Sequence, residues 1–514
     1  MRRCSPQAIP GSARFRRPGF GMIQTDPCVW YRVPWVGKSF TMRDRLPTDW
    51  NGRFFYQANG GIDGSVRPAY GNIFGGGSAL EMGFAVISSD AGHTGPVPFF
   101  GMDPQARLDY GYNAVAELTP MAKSLVKTYY GKFPDTSYFA GCSNGGRHTM
   151  VAASRYADEY DGFFAGSPGF NLPQAAVAQI WGAQQYATIS QYATIYDKGG
   201  EPIGDRPDIT TSFSPEDTEL VSDAILAVCD DVDGALDGMV SDPLACQAMF
   251  NIQRDVPSCG DPGDEECLTY GQKSVLARIH AGAMNSYGEP LYTNFLWDFG
   301  IRSKDWLKWE FDFSLTRDPG AVGLIFSTPP DKNSIFGGLD WALNWNDSGF
   351  DVDRDAPKIY ANDDIYTEAA MSFMTPPDLL MKKLHAKGGK LIVFHGTADA
   401  VFSVVDTVNW YEDLSAHYKK HTKDFARLFL IPGMAHCSGG PSCDRFELFQ
   451  ALVDWVEQGR EPDPVTAWVN SENPEVPSDW SPNRTRPLCA YPAVPIYKGS
   501  GDIEEASNFT CVSP

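Results

Sequence analysis

The chain has 514 residues, more than one simple hydrophobic core usually serves, so two or more domains, or one domain with a large insertion, are expected. A formal charge of −22 excludes the basic surface that nucleic-acid phosphates require, and no apolar run of about 18 residues offers a membrane span. The apolar content of 43% is that of a soluble globular protein, and 50 glycines with 38 prolines point to long structured loops.

Residues 53–58 (RFFYQA) read as a strand running into "NGG", and 83–89 (GFAVISS) as a second strand. Over 113–130, Val115, Leu118, Met121, Leu125 and Val126 recur near one face of a helix. "SYFAG" is a short buried strand, and 144–156 a helix. Strands alternating with helices predict a parallel sheet covered on both faces, an α/β fold. From 174 to 356 the chain is rich in aromatics, Asp, Gly and Pro, with weak strand signals. Then "KLIVFHG" (390–396) and "RLFLIPG" (427–433) read as strands ending in turns. The stretch 445–457 reads as an amphipathic helix carrying Phe446, Phe449, Leu452, Val453 and Val456. The organisation expected is one catalytic α/β domain, 1–169 and 357–514, split by a lid over 170–356. No repeats or low-complexity tracts interrupt it.

Eleven cysteines are many for a cytosolic enzyme. Several fall in short-range pairs, Cys229/Cys246, Cys259/Cys267 and Cys489/Cys511, a pattern of disulfides and an oxidising compartment. The expected location is secreted or periplasmic, although the basic stretch "MRRCSPQAIPGSARFRRPGF" has no apolar core and so shows no signal peptide.

"GCSNG" (141–145) contains Gly-x-Ser-x-Gly, weak alone in a glycine-rich chain, but here it follows a strand and opens a helix. That context is a nucleophile elbow, where a strained turn lifts the serine oxygen above the sheet edge. A serine nucleophile needs a base, and the base an orienting acid, each on a loop after a later strand. "LIVFHGTADAVFS" supplies Asp399 and "LFLIPGMAHCSGG" supplies His436, in the order Ser, acid, His. Of only eight histidines, His148 is too near the elbow, His93 reads as structural, and His280, His385, His417 and His421 lie in polar helix-like stretches. His395 would line the pocket or end its strand in the core. Asp399 is preferred over Asp406, further from the strand end, and Asp454, on a predicted helix. The oxyanion donors expected are the N–H of Asn144 and that of Gly60 or Gly61 in "QANGG". Cys142 precedes the serine and Cys437 follows the histidine. If Ser143 and His436 meet, those cysteines lie within disulfide distance, and a bond between them is expected.

Cys-Ser at the elbow, the Asp, and His-Cys together resemble the tannase and feruloyl esterase family of α/β-hydrolases. The motifs "FGMDPQARLDYGYNA", "YDGFFAGSPGFNLP", "RLFLIPGMAHCSGG" and "RTRPLC…YKGSGDI" carry the resemblance from about Leu46 onward. It implies a lid inserted after "GFNLP" and returning near Pro357, with a structural calcium. The calcium ligands it implies in "CDDVDGALDGMVSD" are Asp230, Asp233 and Asp237 by side chain, with Ala235 and Met239 by carbonyl. Without the resemblance, that stretch reads as an acidic turn as readily as a metal site. The resemblance also suggests the pairs Cys259–Cys267 and Cys489–Cys511, with Cys229–Cys246 bracketing the calcium loop; Cys4–Cys28 would be a further pair, leaving Cys443 over.

Positions matching the family's aromatic-acyl pocket are Leu172, Trp309, His395, Val401 and Phe402. Two departures stand out. Asn144 replaces a glutamate that follows the nucleophile in a terephthalate-cleaving member. The lid stretch "FDFSLTRDPGAVGLIFSTPP" matches poorly where that member places a carboxylate-binding arginine; Arg317 would substitute, or be a surface arginine. The expected activity is hydrolysis of small aromatic esters (terephthaloyl, feruloyl or galloyl type) through an acyl-enzyme, with no organic cofactor. The alternatives are a feruloyl esterase or tannase with little terephthalate activity, a lipase-like esterase or serine peptidase, and a silent calcium-dependent binding protein.

Overall fold

Short apolar runs flanked by glycine and polar turns become the strands of the structure. A computed structural model describes residues 21–25, 28–35, 38–196, 199–260, 266–344, 347 and 349–513. The strands are β1 (Gly21–Thr25), β2 (Cys28–Trp35), β3 (Lys38–Arg45), β4 (Arg53–Gln57), β5 (Ala85–Ser89), β6 (Thr136–Cys142), β7 (Gly162–Gly166), β8 (Gln191–Tyr196), β9 (Pro202–Asp208), β10 (Lys390–Gly396) and β11 (Ala426–Ile431). Nine of these form one sheet in the order β1-β2-β3-β5-β4-β6-β7-β10-β11. From β5 to β11 neighbours run parallel, and β1, β2 and β3 extend the edge antiparallel. β5 lies on one side of β4 and β6 on the other, so the chain reverses its direction of winding there. Such a switch point opens a crevice at the carboxyl ends of the two strands.

Both faces of the parallel part are covered, which is why its strands read as unbroken apolar runs rather than alternating ones. Phe55, Tyr138, Phe164, Ile392 and Phe429 point to one core; Phe54, Phe139, Phe163, Leu391 and Leu428, one residue away in each strand, point to the other. The helices Ala114–Tyr130, Asn144–Arg155 and Val404–Tyr418 cover the second face, and Leu448–Gln458 the first. The strand and helix expectations at 53–58, 83–89, 113–130, 137–141, 144–156, 390–396 and 427–433 agree with these elements to within two residues at each end.

Three features differ from expectation. β7 was not anticipated, because "GFFAG" is short and glycine-flanked. The helix expected at 445–457 starts at Leu448, since Arg445–Phe446 is a short strand (β12) pairing with Val465–Trp468 (β13). That pairing is a contact across the fold that periodicity does not report. Between β7 and β10 the chain folds into the helices Leu172–Ala187, Pro215–Cys229 and Tyr270–Ala281 with many short helical turns, and the exposed hairpin β8–β9. Apolar residues of this inserted segment, among them Ile225, Val275, Trp306 and Phe311, join the same core cluster as one sheet face.

Candidate active site

The elbow is built as its glycines require. Ser143 follows β6 directly and adopts φ 67°, ψ −130°, a conformation costly for a residue with a Cβ. A Cβ at Gly141 would stand 2.6 Å from the Gly145 backbone, and one at Gly145 would stand 2.6 Å from the Ala58 carbonyl. Only glycines let the turn close this tightly against the end of β4.

Asp399 and His436 lie just past β10 and β11, as expected. His436 Nδ1 is 2.8 Å from Asp399 Oδ2, and the amides of Val401 and Phe402 donate to Asp399 Oδ1 at 3.0 Å. Burial alone would raise the Asp399 carboxyl; the charge on His436 and hydrogen bonds from His395 and His436 outweigh it and hold the group well below the ordinary carboxylate range. The anion is therefore ready to orient the Nδ1–H tautomer. That leaves His436 Nε2, buried and without a hydrogen-bond partner, as the basic lone pair. The disulfide Cys142–Cys437, with Cα atoms 6.1 Å apart, ties the turn of Ser143 to the loop of His436.

The imidazole is held from two sides. Phe402 meets the His436 ring edge-on at 5.4 Å, and Trp309 from the inserted segment at 5.0 Å. Asp305, which the sequence reading missed, takes both the His436 amide (3.2 Å) and the Trp309 indole N–H (3.1 Å) on Oδ2.

A pocket opens at Ser143, walled by Gly61, Leu172, Phe326, Val401, Phe402 and Arg317. Leu172, Val401 and Phe402, three of the positions expected to meet substrate, thus line the space beside Ser143. His395 does not. It is fully buried, its ring nitrogens meeting Thr407 Oγ1 and the Phe402 carbonyl, each at 2.9 Å, with Asp399 Oδ2 3.3 Å away. The strand-end alternative is the one realised, because β10 turns this side chain into the core. Arg317 is not a free surface group: its guanidinium lies over Trp309 at 4.3 Å and pairs with the buried Asp318 at 2.8 Å. His280 likewise departs from its polar assignment, being buried and stacked on Trp297 at 3.7 Å.

Of the implied calcium ligands, Asp230 accepts from the amides of Asp237, Gly238 and Met239, and Asp237 pairs with Arg486. Asp233 uses Oδ1 for the Ala235 amide and buries Oδ2 without a hydrogen bond. Among the described residues no three His, Cys, Asp or Glu side chains are gathered around one point. The pairs Cys229–Cys246, Cys259–Cys267 and Cys489–Cys511 are formed, and Cys443 is free and buried. Cys4 lies outside the described residues, and with it the Cys4–Cys28 pair. Four disulfides suit an oxidising compartment. No described helix is long and apolar enough to cross a membrane.

Comparison with known proteins agrees with this geometry. The family model "Tannase and feruloyl esterase" matches residues 39–512. Mono(2-hydroxyethyl) terephthalate hydrolase of Piscinibacter sakaiensis is 38% identical, covering 92% of this chain and 81% of that protein. A probable feruloyl esterase B-2 of Aspergillus terreus is 25% identical, covering 92% of this chain and 83% of its own length. Among solved structures, feruloyl esterase B from Aspergillus oryzae superimposes with a TM-score of 0.71 at 24% identity, covering 96% of this chain and 90% of that one. The chain belongs to the tannase and feruloyl esterase family and is a carboxylic ester hydrolase.

Proposed function

We propose that this protein hydrolyses esters of aromatic carboxylic acids through an acyl-enzyme on Ser143. The observation that carries the reading is the pairing of His436 Nδ1 with buried Asp399 at 2.8 Å, on a loop disulfide-linked to the strained Ser143 turn. Ser143 Oγ attacks the acyl carbon while His436 Nε2 takes its proton, and Asp399 stabilises the imidazolium. The tetrahedral oxyanion rests on the N–H groups of Asn144 and Gly61. Collapse expels the alcohol, protonated by His436. Water, deprotonated by the same nitrogen, then releases the acid.

The wall of Leu172, Phe326, Val401 and Phe402 suits a flat aromatic acyl group, and the names of the relatives point to terephthalate and ferulate esters. Arg317, stacked and paired at that wall, would meet a second carboxylate on the acyl ring. The segment 170–356 acts as a lid: it brings Trp309, Asp305 and Arg317 to a centre otherwise built on strand ends. Calcium would sit at the 230–239 loop, held by Asp230, Asp233 and Asp237 with the carbonyls of Ala235 and Met239. The buried, unpartnered Oδ2 of Asp233 supports this, as does a donor set made wholly of hard oxygens. Its contribution there is to stiffen the segment, away from the reacting atoms.

Initial rates on methyl ferulate, methyl gallate, mono(2-hydroxyethyl) terephthalate and p-nitrophenyl butyrate test the reading. Aromatic acyl esters should be preferred, and a dominant rate on the butyrate ester would refute the aromatic assignment. Ser143→Ala should remove turnover of all four, by about 10⁴-fold or more. Survival of turnover would place the nucleophile elsewhere.

A further inference from the structure

The two oxyanion donors come from segments far apart in sequence: Gly61 from the loop after β4, Asn144 from the first turn of the elbow helix. A hole works only if both donors keep their places to within about half an ångström. β4–β6 pairing ends nearby, with the Ala58 amide on the Ala140 carbonyl at 2.8 Å. Beyond that point the connection passes through side chains.

Asp63, two residues past Gly61 and at φ 52°, accepts on Oδ2 from Asn144 Nδ2 at 2.8 Å and from His148 Nε2 at 2.9 Å. Asn144 Oδ1 accepts from Arg147 Nε at 2.8 Å. Arg147 donates onward to the carbonyls of Gly111 (2.6 Å) and Tyr110 (3.0 Å), and the Tyr110 hydroxyl returns to the Gly61 carbonyl at 3.3 Å. The ring closes: Gly61 loop, Asp63, Asn144, Arg147, Tyr110, Gly61. Asp63, Asn144, Arg147 and His148 are all buried. Arg147 Nη2 also packs against the His148 ring, 3.1 Å from Nδ1 and 2.9 Å from Nε2. Burial pushes the Asp63 carboxyl up to about 7, while charge on His93 and Arg147 draws it back down; ionised, it faces Arg147 across the bridging Asn144, and removing either would strand the other.

We propose that Asp63 and Arg147 are positioning residues for the oxyanion hole, clamping the Asn144 peptide to the Gly61 loop through the Asn144 side chain. This rests on the reading of Ser143 as nucleophile with Asn144 and Gly61 as donors. It assigns the asparagine after the nucleophile a duty separate from its backbone N–H: a neutral amide is needed there because it must donate to a carboxylate on one side and accept from a guanidinium on the other. An acid at 144 beside Asp63 would face a like charge.

The chemistry suggests an exchange test. In Asp63→Asn, the amide oxygen can still accept from Asn144 and His148, both of which meet Oδ2 in the wild type, but the buried charge that balances Arg147 is lost; in Asn144→Asp, two carboxylates meet. In the double variant D63N/N144D, the amide of 63 donates to the carboxylate of 144, Arg147 still has its acceptor, and the buried charge is conserved. On an aromatic ester turned over by the wild type, each single variant should lose about 10- to 100-fold in kcat with KM within about threefold, since a displaced donor costs less than a deleted one. Phenylboronic acid, whose serine adduct is tetrahedral, should lose affinity in step with kcat, while inhibition by the product acid is unchanged. The double variant should regain kcat to within about tenfold of wild type.

The inference is overturned if the single variants keep kcat within twofold, or if KM rises while kcat holds. Should Asp63→Asn fail to fold, the other two decide. A folded but inactive double variant overturns the clamp, and an active double beside a weak Asn144→Asp supports it. Ser143→Ala separates the two levels. Turnover surviving in it removes the parent reading, whereas a silent Ser143→Ala beside a fully active Asp63→Asn removes only the clamp.

Discussion

The strand-end loops and the inserted segment both reach the reacting centre, but they are built on different terms. Ser143, Asp399 and His436 each sit one turn past a strand buried on both faces, so the sheet fixes their positions. Leu172 opens the helix Leu172–Ala187, and Trp309, Arg317 and Asp305 arrive from short helical turns held by ring stacking and side-chain hydrogen bonds. The contrast divides the labour proposed for the site. In that proposal, chemistry falls to the strand ends and selectivity to the side chains that the inserted segment brings to them.

The disulfide does not involve the inserted segment, since Cys142 ends β6 and Cys437 lies on the loop after β11, so its loss is the strongest way to damage the sheet side alone. The pair Cys142→Ser and Cys437→Ser should lower stability by about 2–4 kcal/mol and reduce kcat, checked by thermal unfolding and steady-state rates. If kcat were unchanged, the staple would matter to folding only. Calcium removal addresses the inserted side. If an ion is bound at about 100 times its dissociation constant, EGTA should cost about 2.7 kcal/mol, read as a lower Tm restored by added Ca²⁺. An unchanged Tm would remove the ion from the 230–239 loop.

Arg317→Ala should cut kcat/KM about tenfold or more on esters whose acyl ring carries a second carboxylate, and leave methyl ferulate within about twofold. Equal losses on both would make Arg317 a support for Trp309 rather than a selector. The smallest effect expected concerns Glu310, buried in the inserted segment, where burial pushes its carboxyl up to about 8. A raised pKa means the folded state keeps a proton that the unfolded state gives up. The associated stability is present below about pH 4.3 and is lost as pH rises toward 8. Glu310→Gln should therefore flatten the decline of Tm between about pH 5 and 8, and an identical decline in both proteins would show that Glu310 is not its source.

Legibility followed the same division. The parallel strands "RFFYQA", "SYFAG" and "KLIVFHG" declare themselves because burial on both faces demands continuous apolar residues. The triad candidates were readable because each is tied to such a strand end. β7 escaped because five residues of Gly, Phe and Ala hold too little pattern. In the inserted segment, Asp305 carried no signal: one aspartate in "SKDWLKW" looks solvated until the fold sets it against the His436 amide. Asp63 was similarly silent, although it stands two residues past a glycine the sequence had already singled out.

By itself the sequence determined the fold class, the order Ser143, Asp399, His436 and the expectation of a bond between Cys142 and Cys437. Each follows from local chemistry: a strand pattern, a strained glycine turn, a thiol beside each reacting residue. Only the tertiary structure decided that His395 is core rather than pocket, that Arg317 stacks on Trp309, and that Asp63 reaches Asn144. Those outcomes depend on how the folded backbone aims each side chain and, for Asp63 and Asn144, on a contact between residues 81 apart in the chain; spacing along a sequence carries no term for either.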